Sequence, residues 1–245
     1  HDIAYHKSEI WYATDQGIMV NSRKDGGYKR LNVQDGLAGD NIYTVALEDS
    51  LAWAGSQFGL NSITRKSHSI KNLYLSPDKF HMEILKIEVG PQNIWIGTDN
   101  GLYSVERKSH SVKHYDTFGE QVKLEDPVVA SYPAVASSDS FVVAYGNDSF
   151  LKYSKQTKDW SLMAELPDIK MIYDLAIHEN YLWAGTDRGA FLINLDNDYR
   201  EHYTKADGLA GIHVHQIIIE EDDVWFGTNR GLTKYYWKKY VFTKD

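Results

Sequence analysis

Cysteine is absent from the 245 residues. That excludes disulfides, thiolate metal sites and a cysteine nucleophile, and it fits the cytoplasm and a bacterial envelope equally. No run of about eighteen apolar residues occurs, so no segment reads as a membrane-spanning helix. No signal-peptide pattern opens the chain, which is also true of mature fragments. Positive charge is scarce: 26 Lys and Arg stand against 34 Asp and Glu, a formal net charge of −8. This balance weighs against a nucleic-acid or anionic-membrane surface. A nucleophile elbow, a phosphate loop and a dinucleotide fingerprint are all missing. What is plentiful is aromatic, with 17 Tyr and 7 Trp, and the hydrophobic fraction of 42% is enough for a core. Such residues suit pleated strands.

The aromatic residues recur in register. Trp95-Ile96-Gly97-Thr98-Asp99-Asn100-Gly101-Leu102 returns as Trp225-Phe226-Gly227-Thr228-Asn229-Arg230-Gly231-Leu232, and looser copies carry Trp11, Trp53 and Trp183. Trp11, Trp53 and Trp95 are 42 residues apart, as are Trp183 and Trp225. A period near forty with short strands predicts an all-β, six-bladed β-propeller of four antiparallel strands per blade. The fourth copy is degenerate and aligns on Ala144. Each blade opens on an apolar run, holding Ile3, Val45, Ile87, Val135, Leu175 and Ile217, eight residues before the reference position and nine in the fourth. Asp-Gly-Leu-Ala-Gly marks two crossings, at Asp35 to Gly39 and Asp207 to Gly211, where Leu37 and Leu209 are expected to plug neighbouring blades. A longer crossing, Thr117 to Ser131, precedes blade four. Residues 1–245 read as one propeller domain, expected to be cut from a longer repeat protein.

The repeated pattern of an apolar residue, Trp-x-Gly-Thr-x-x-Gly-Leu, an aromatic and Asp-Gly-Leu resembles the two-component regulator propeller repeat. Blades three and six match in full. Ser56, Ala190, Ala13 and Ile18 depart from it in single places, and blade four departs most. The resemblance implies a periplasmic or extracellular sensor region of a bacterial hybrid two-component system, a class of which many members respond to glycans. It also implies further propeller or signalling domains in the full-length protein.

Repeated residues serve what every blade needs, so the Trp-Gly-Thr-Gly set reads as scaffold. Function is sought where the copies differ. Before the apolar position the series runs Asp2, Thr44, Lys86, Ala134, Asp174, Gln216, and one step earlier His1, Tyr43, Leu85, Pro133, Tyr173, His215. Further upstream stand Asn41, Glu83, Ser131, Met171 and His213. Asp2, Tyr43, Thr44, Lys86, Tyr173, Asp174, His213, His215 and Gln216 are therefore expected to rim a channel mouth and bind a ligand. Mixed carboxylate, amine, amide, phenol and imidazole groups suit a glycan. His213-x-His215 has no third ligand at fixed spacing, so no metal or other cofactor is expected. The acidic runs Glu220-Glu221-Asp222-Asp223 and Glu48-Asp49 read as solvated hairpin ends. The Arg-Lys-Ser-His turns at residues 65–68 and 107–110 read as a duplicated turn between the third and outer strands, and with Lys238-Lys239 they make no nucleic-acid patch. The expected function is non-enzymatic recognition of a glycan or protein partner on the crossing-loop face, outside the cytoplasm. The alternatives are a carbohydrate lyase or hydrolase built from Asp2, Asp174 and a His, and a structural propeller of an envelope assembly.

Overall fold

The structure, a computed structural model, describes residues 1–24, 26–76, 81–115, 122, 131–146 and 148–237. Most of the crossing from Thr117 to Ser131 lies outside the described residues, as do Lys238-Lys239. Six antiparallel sheets follow one another, each a meander in chain order. Blade one comprises Asp2–His6, Glu9–Thr14, Gly17–Ser22 and Tyr28–Leu31. The first strands of the next five are Ile42–Leu47, Ile84–Val89, Ala134–Ser137, Ile172–His178 and Val214–Glu220. By class the protein is a six-bladed β-propeller. Blade six shows three strands among the described residues, ending with Gly231–Tyr236, where four were expected. The chain divides into two compact units, blades one to three and blades four to six.

The repeat works as a turn. Thr98 Oγ1 donates to Gly101 O (2.7 Å) and accepts from Asn100 N (3.0 Å). Thr14, Ser56, Thr186 and Thr228 do the same in their blades. Gly101 has φ +104°, a left-handed conformation that costs glycine nothing. The indoles of Trp11, Trp53, Trp95 and Trp183 are buried between layers. The Asp-Gly-Leu crossings are short 3-10 turns over Val33–Asp35 and Lys205–Asp207, closed by capping boxes. Their Asp reaches backward, Asp35 to Asn32 N and Asp207 to Thr204 N. Leu37 packs with Trp11, Leu31 and Val45, and Leu209 with Trp183, Leu192 and Phe226, so both plug adjacent blades.

Blade four takes a different alignment from the expected one. Gly146 pairs with Ser149 as Thr98 pairs with Gly101. That puts Val143, not Ala144, at the Trp position, Tyr145 at the first Gly and Phe150 at the Leu. The spacing from Val135 to Val143 becomes eight residues, and the nine-residue anomaly disappears. The lone Gly146 had attracted the alignment to the wrong glycine.

A second recurring device locks the opposite ends of the strands. Twelve residues beyond each reference position stand Arg23, Arg65, Arg107, Lys155, Leu195 and Trp237. The backbone N–H of each donates to a carbonyl in its own blade's first hairpin, at Ser8, Ser50, Gln92, Ser140, Asn180 and Asp222. The Arg65 guanidinium pairs with Glu9 of blade one (2.8 Å) and also donates to the carbonyls of His6, Glu48 and Asp49. Glu9 accepts in turn from the Trp11 indole (3.2 Å). Glu48 repeats this one blade on, accepting from the Trp53 indole (2.6 Å) and pairing with Arg107. Glu48 is therefore no solvated hairpin end, and the basic turns hold one blade to the one before. In blades five and six the lock is apolar: Trp237 packs edge-on to Trp183, Tyr181 and His178. The indole nitrogens of Trp183 and Trp237 are buried without a hydrogen bond.

The Arg65 side chain is 9% exposed and that of Glu9 26%. Removing the cation strands a half-buried carboxylate, so Arg65→Ala is expected to cost about 2–3 kcal/mol, below the penalty of a fully buried pair. Arg23→Ala, at the exposed equivalent position, should cost about 0.5 kcal/mol or less. Burial pushes the Glu9 carboxyl up, but hydrogen bonds from Arg65 and Trp11 and the charges of Arg65 and His68 bring it below its ordinary range. A depressed carboxylate stabilises the fold at neutral pH and loses that effect as pH falls through its folded pKa. The gap between wild type and Arg65→Ala in thermal unfolding should thus close as pH drops below about 4.

Candidate functional site

The ladder explains why the variable positions stand out. In blades two, three, five and six the pairing of first and second strands slips at one residue. The residues passed over are Tyr43, Leu85, Tyr173 and His215. A β-bulge frees a side chain from the alternation of its strand and re-aims it. Three of the expected ligand residues occupy that bulge. In blades three, five and six the entry to the bulge is clamped by the repeat's own turn. Asp99 accepts from Glu83 N (3.0 Å) and its N–H donates back to Glu83 O (3.1 Å). Asp187 accepts from Lys170 N and Met171 N and donates to Met171 O. Asn229 donates to His213 O (3.0 Å) and accepts weakly from His213 N. The backbone on which these side chains ride is fixed before any ligand arrives.

In the first unit Tyr43 is the centre. Its hydroxyl accepts from Asn41 Nδ2 and donates to Glu83 Oε1, both at 2.9 Å. The His1 ring meets it edge-on, 6.0 Å between centroids. Burial, then the hydrogen bond to Glu83, pushes the Tyr43 hydroxyl up from its ordinary range, so it stays protonated and a donor. Lys86 is half-buried and pairs with Gly97 across the ladder. In the second unit Tyr173, His213 and His215 form an aromatic group, with Tyr173 4.6 Å from His215 and 6.2 Å from His213. His215 is exposed, and Tyr173, His213 and Gln216 are half-buried.

Asp2, Thr44 and Asp174 have another use. Asp2 Oδ2 accepts from Thr44 Oγ1 (2.9 Å) and Val45 N (3.0 Å). Asp174 Oδ2 accepts from Ile217 N at 2.9 Å. Each carboxylate caps the backbone N–H at the apolar position of the following blade. Asp174 is 4% exposed and Thr44 1%. These residues sit at the expected place, but Thr44 and Asp174 point into the joint between first strands rather than to solvent. Asn41, Glu83 and His1 join Tyr43, although only their upstream position marked them in the sequence. Among the described residues no group of three His, Asp or Glu is set to hold a metal, and no helix is long and apolar enough to cross a membrane.

No protein-family model matches the chain, and no curated relative matches it by sequence. Solved structures do match. The extracellular domain of the putative hybrid two component system BT4673 from B. thetaiotaomicron superposes with a TM-score of 0.74 at 18% identity, over 95% of this chain and 32% of that one. The extracellular domain of the putative hybrid two component system BT3049 from the same organism gives 0.70 at 16%, over 97% and 33%. PorZ, a bacterial surface component of the type-IX secretion system of Porphyromonas gingivalis, gives 0.66 at 10%, over 96% and 32%. The chain thus spans about a third of the length of these structures. At these identities the likeness establishes the fold. The two sensor domains are of the class to which the repeat pattern points.

The use of Asp174 as an acceptor can be checked directly. Asp174→Ala leaves the Ile217 N–H buried and unpaired, an expected loss of about 1–3 kcal/mol. Asp174→Asn keeps an acceptor oxygen and should lose clearly less. Urea unfolding of the two variants distinguishes this from a solvated rim residue, where both would be neutral.

Proposed function

We propose that the protein is the recognition propeller of an extracytoplasmic sensor and that it binds a glycan on the crossing-loop face without catalysis. The observation that carries this reading is the bulge position. One structural slot, a bulge in the same register of four blades and clamped in three of them, presents Tyr43, Leu85, Tyr173 and His215. Flat aromatic faces beside hydrogen-bonding groups suit a sugar, which offers C–H surface to a ring and hydroxyls at its edge. Lys86, His213 and Gln216 flank the bulge residues and supply donors and acceptors. Tyr173 with His213 and His215 is the aromatic surface of the second unit, and Tyr43 with Glu83 and Asn41 the polar one of the first. A lyase or hydrolase would need carboxylates free to move protons. The carboxylates of Asp2 and Asp174 accept backbone N–H groups instead, which favours recognition over chemistry. Likeness to extracellular sensor domains supports a place outside the cytoplasm, with a signalling module elsewhere in the full-length protein.

Screening an array of bacterial and plant oligosaccharides, then titrating a hit by calorimetry, tests the proposal. Tyr173→Ala and His215→Ala should each weaken binding about tenfold or more, a difference of about 1.4 kcal/mol, with unchanged unfolding midpoints. An array without a hit, or a hit indifferent to both substitutions, removes the glycan from this surface.

A further inference from the structure

Blade four departs from its neighbours at one position with a spatial consequence. Opposite the series Asp2, Thr44, Lys86, Ala134, Asp174, Gln216, the second strands carry Ala13, Gly55, Gly97, Tyr145, Gly185 and Gly227. Gly55, Gly97 and Gly185 are required by the close approach of a neighbouring segment. A Cβ on Gly97 would lie 2.0 Å from Tyr132 O, one on Gly55 2.4 Å from Ile84 Cγ2, and one on Gly185 2.6 Å from Val214 O. The approaching residue stands two before the paired one of the next blade, which for blade four is Ile172. Tyr145 fills the space that a glycine would leave to Ile172. A cavity of about 120 Å³ lies here, lined by both Tyr145 and Ile172 and by Glu165, Leu166 and Ile169.

Phe150, Leu166, Ile169 and Ile172 line the apolar part of this cavity, and Tyr145, Asp148 and Glu165 its polar mouth. The Phe150 ring lies 4.9 Å from that of Tyr145. Asp148 is held by the Tyr145 hydroxyl at 3.3 Å. Among the described residues no cation pairs with either carboxylate. The nearby Arg200 is taken up by Asp198 and by the carbonyls of Ala164 and Glu165. Burial, followed by the negative charges of Asp148, Asp187 and Glu165, pushes the Tyr145 hydroxyl up to about 12. The mouth therefore carries two carboxylates above the buried side chains of Phe150, Leu166 and Ile172.

We infer that this cavity is a docking pocket for one Lys or Arg side chain of a protein partner. The volume is well below the roughly 300 Å³ at which small-molecule sites begin, and it is of the size of a single long side chain. An aliphatic stem with a cationic head matches an apolar floor with two carboxylates at the rim. The formal net charge of −8 steers a basic partner in the same sense. The pocket lies within the second unit and does not depend on the bulge residues binding a glycan.

The test uses the full chain with methyl-labelled Ile and Leu and three probes: Nα-acetyl-arginine amide, its neutral counterpart Nα-acetyl-norleucine amide, and methyl glucoside. The arginine probe should shift the methyl resonances of Leu166, Ile169 and Ile172 along a saturating curve. The norleucine probe should bind about tenfold more weakly or worse. The double variant Asp148→Asn, Glu165→Gln, whose changes lie at exposed positions, should weaken the arginine probe by a similar factor and leave the norleucine response alone. Equal shifts with the neutral probe or with methyl glucoside overturn the assignment, as does an arginine response that survives in the double variant. Absence of any shift with the arginine probe overturns it too.

Discussion

A small antiparallel sheet has two faces and cannot bury either alone, so everything in this protein depends on face-to-face packing of consecutive blades. The indole of the second strand supplies the area, and the leucine of each Asp-Gly-Leu crossing fills the seam. Polar groups then fix the angle at both ends of the strands. At one end Asp2 and Asp174 reach the backbone of the following blade. At the other, Arg65 and Arg107 reach a glutamate of the preceding blade that also holds its indole. Burial supplies the bulk of the stability, and the hydrogen bonds select one register among many that burial alone would accept.

The same constraint separates scaffold from site. A residue that must serve the blade joint is repeated or replaced by an equivalent solution, as Arg65 is by Trp237. A residue displaced from the ladder by a bulge has no such duty, and its identity is free to drift from Tyr43 to Leu85, Tyr173 and His215. Blade four shows the converse. Its lost indole and its Tyr145 relax the joint, and three cavities border blade four where it meets blade five.

The fold was legible because its signal is repeated: five copies of Trp with a Gly-Thr or similar turn outvote any one ambiguity. The candidate rim was legible only as a list of variable positions. Nothing in the series Asp2, Thr44, Lys86, Ala134, Asp174, Gln216 tells that Asp2 and Asp174 face a backbone N–H. That partner lies 43 residues away and is not a side chain. The bulge was invisible because it adds no glycine and no length to the strand. Blade four was misaligned by one residue because Gly146 mimics the repeat's first glycine. The strand spacing from Val135 was the better guide. The series ending in Leu195 and Trp237 shares no single residue type, so only its position, twelve residues past each reference residue, marks it in the sequence.

That last series has a thermodynamic consequence. In the first unit the lock between blades is a largely buried charge pair, Arg65 with Glu9, which salt screens little and which cold leaves largely intact. In blade six of the second unit it is edge-on aromatic surface around Trp237, whose burial carries a large heat capacity and weakens on cooling. The Trp237 joint is thus expected to weaken on cooling more than the Arg65 joint does.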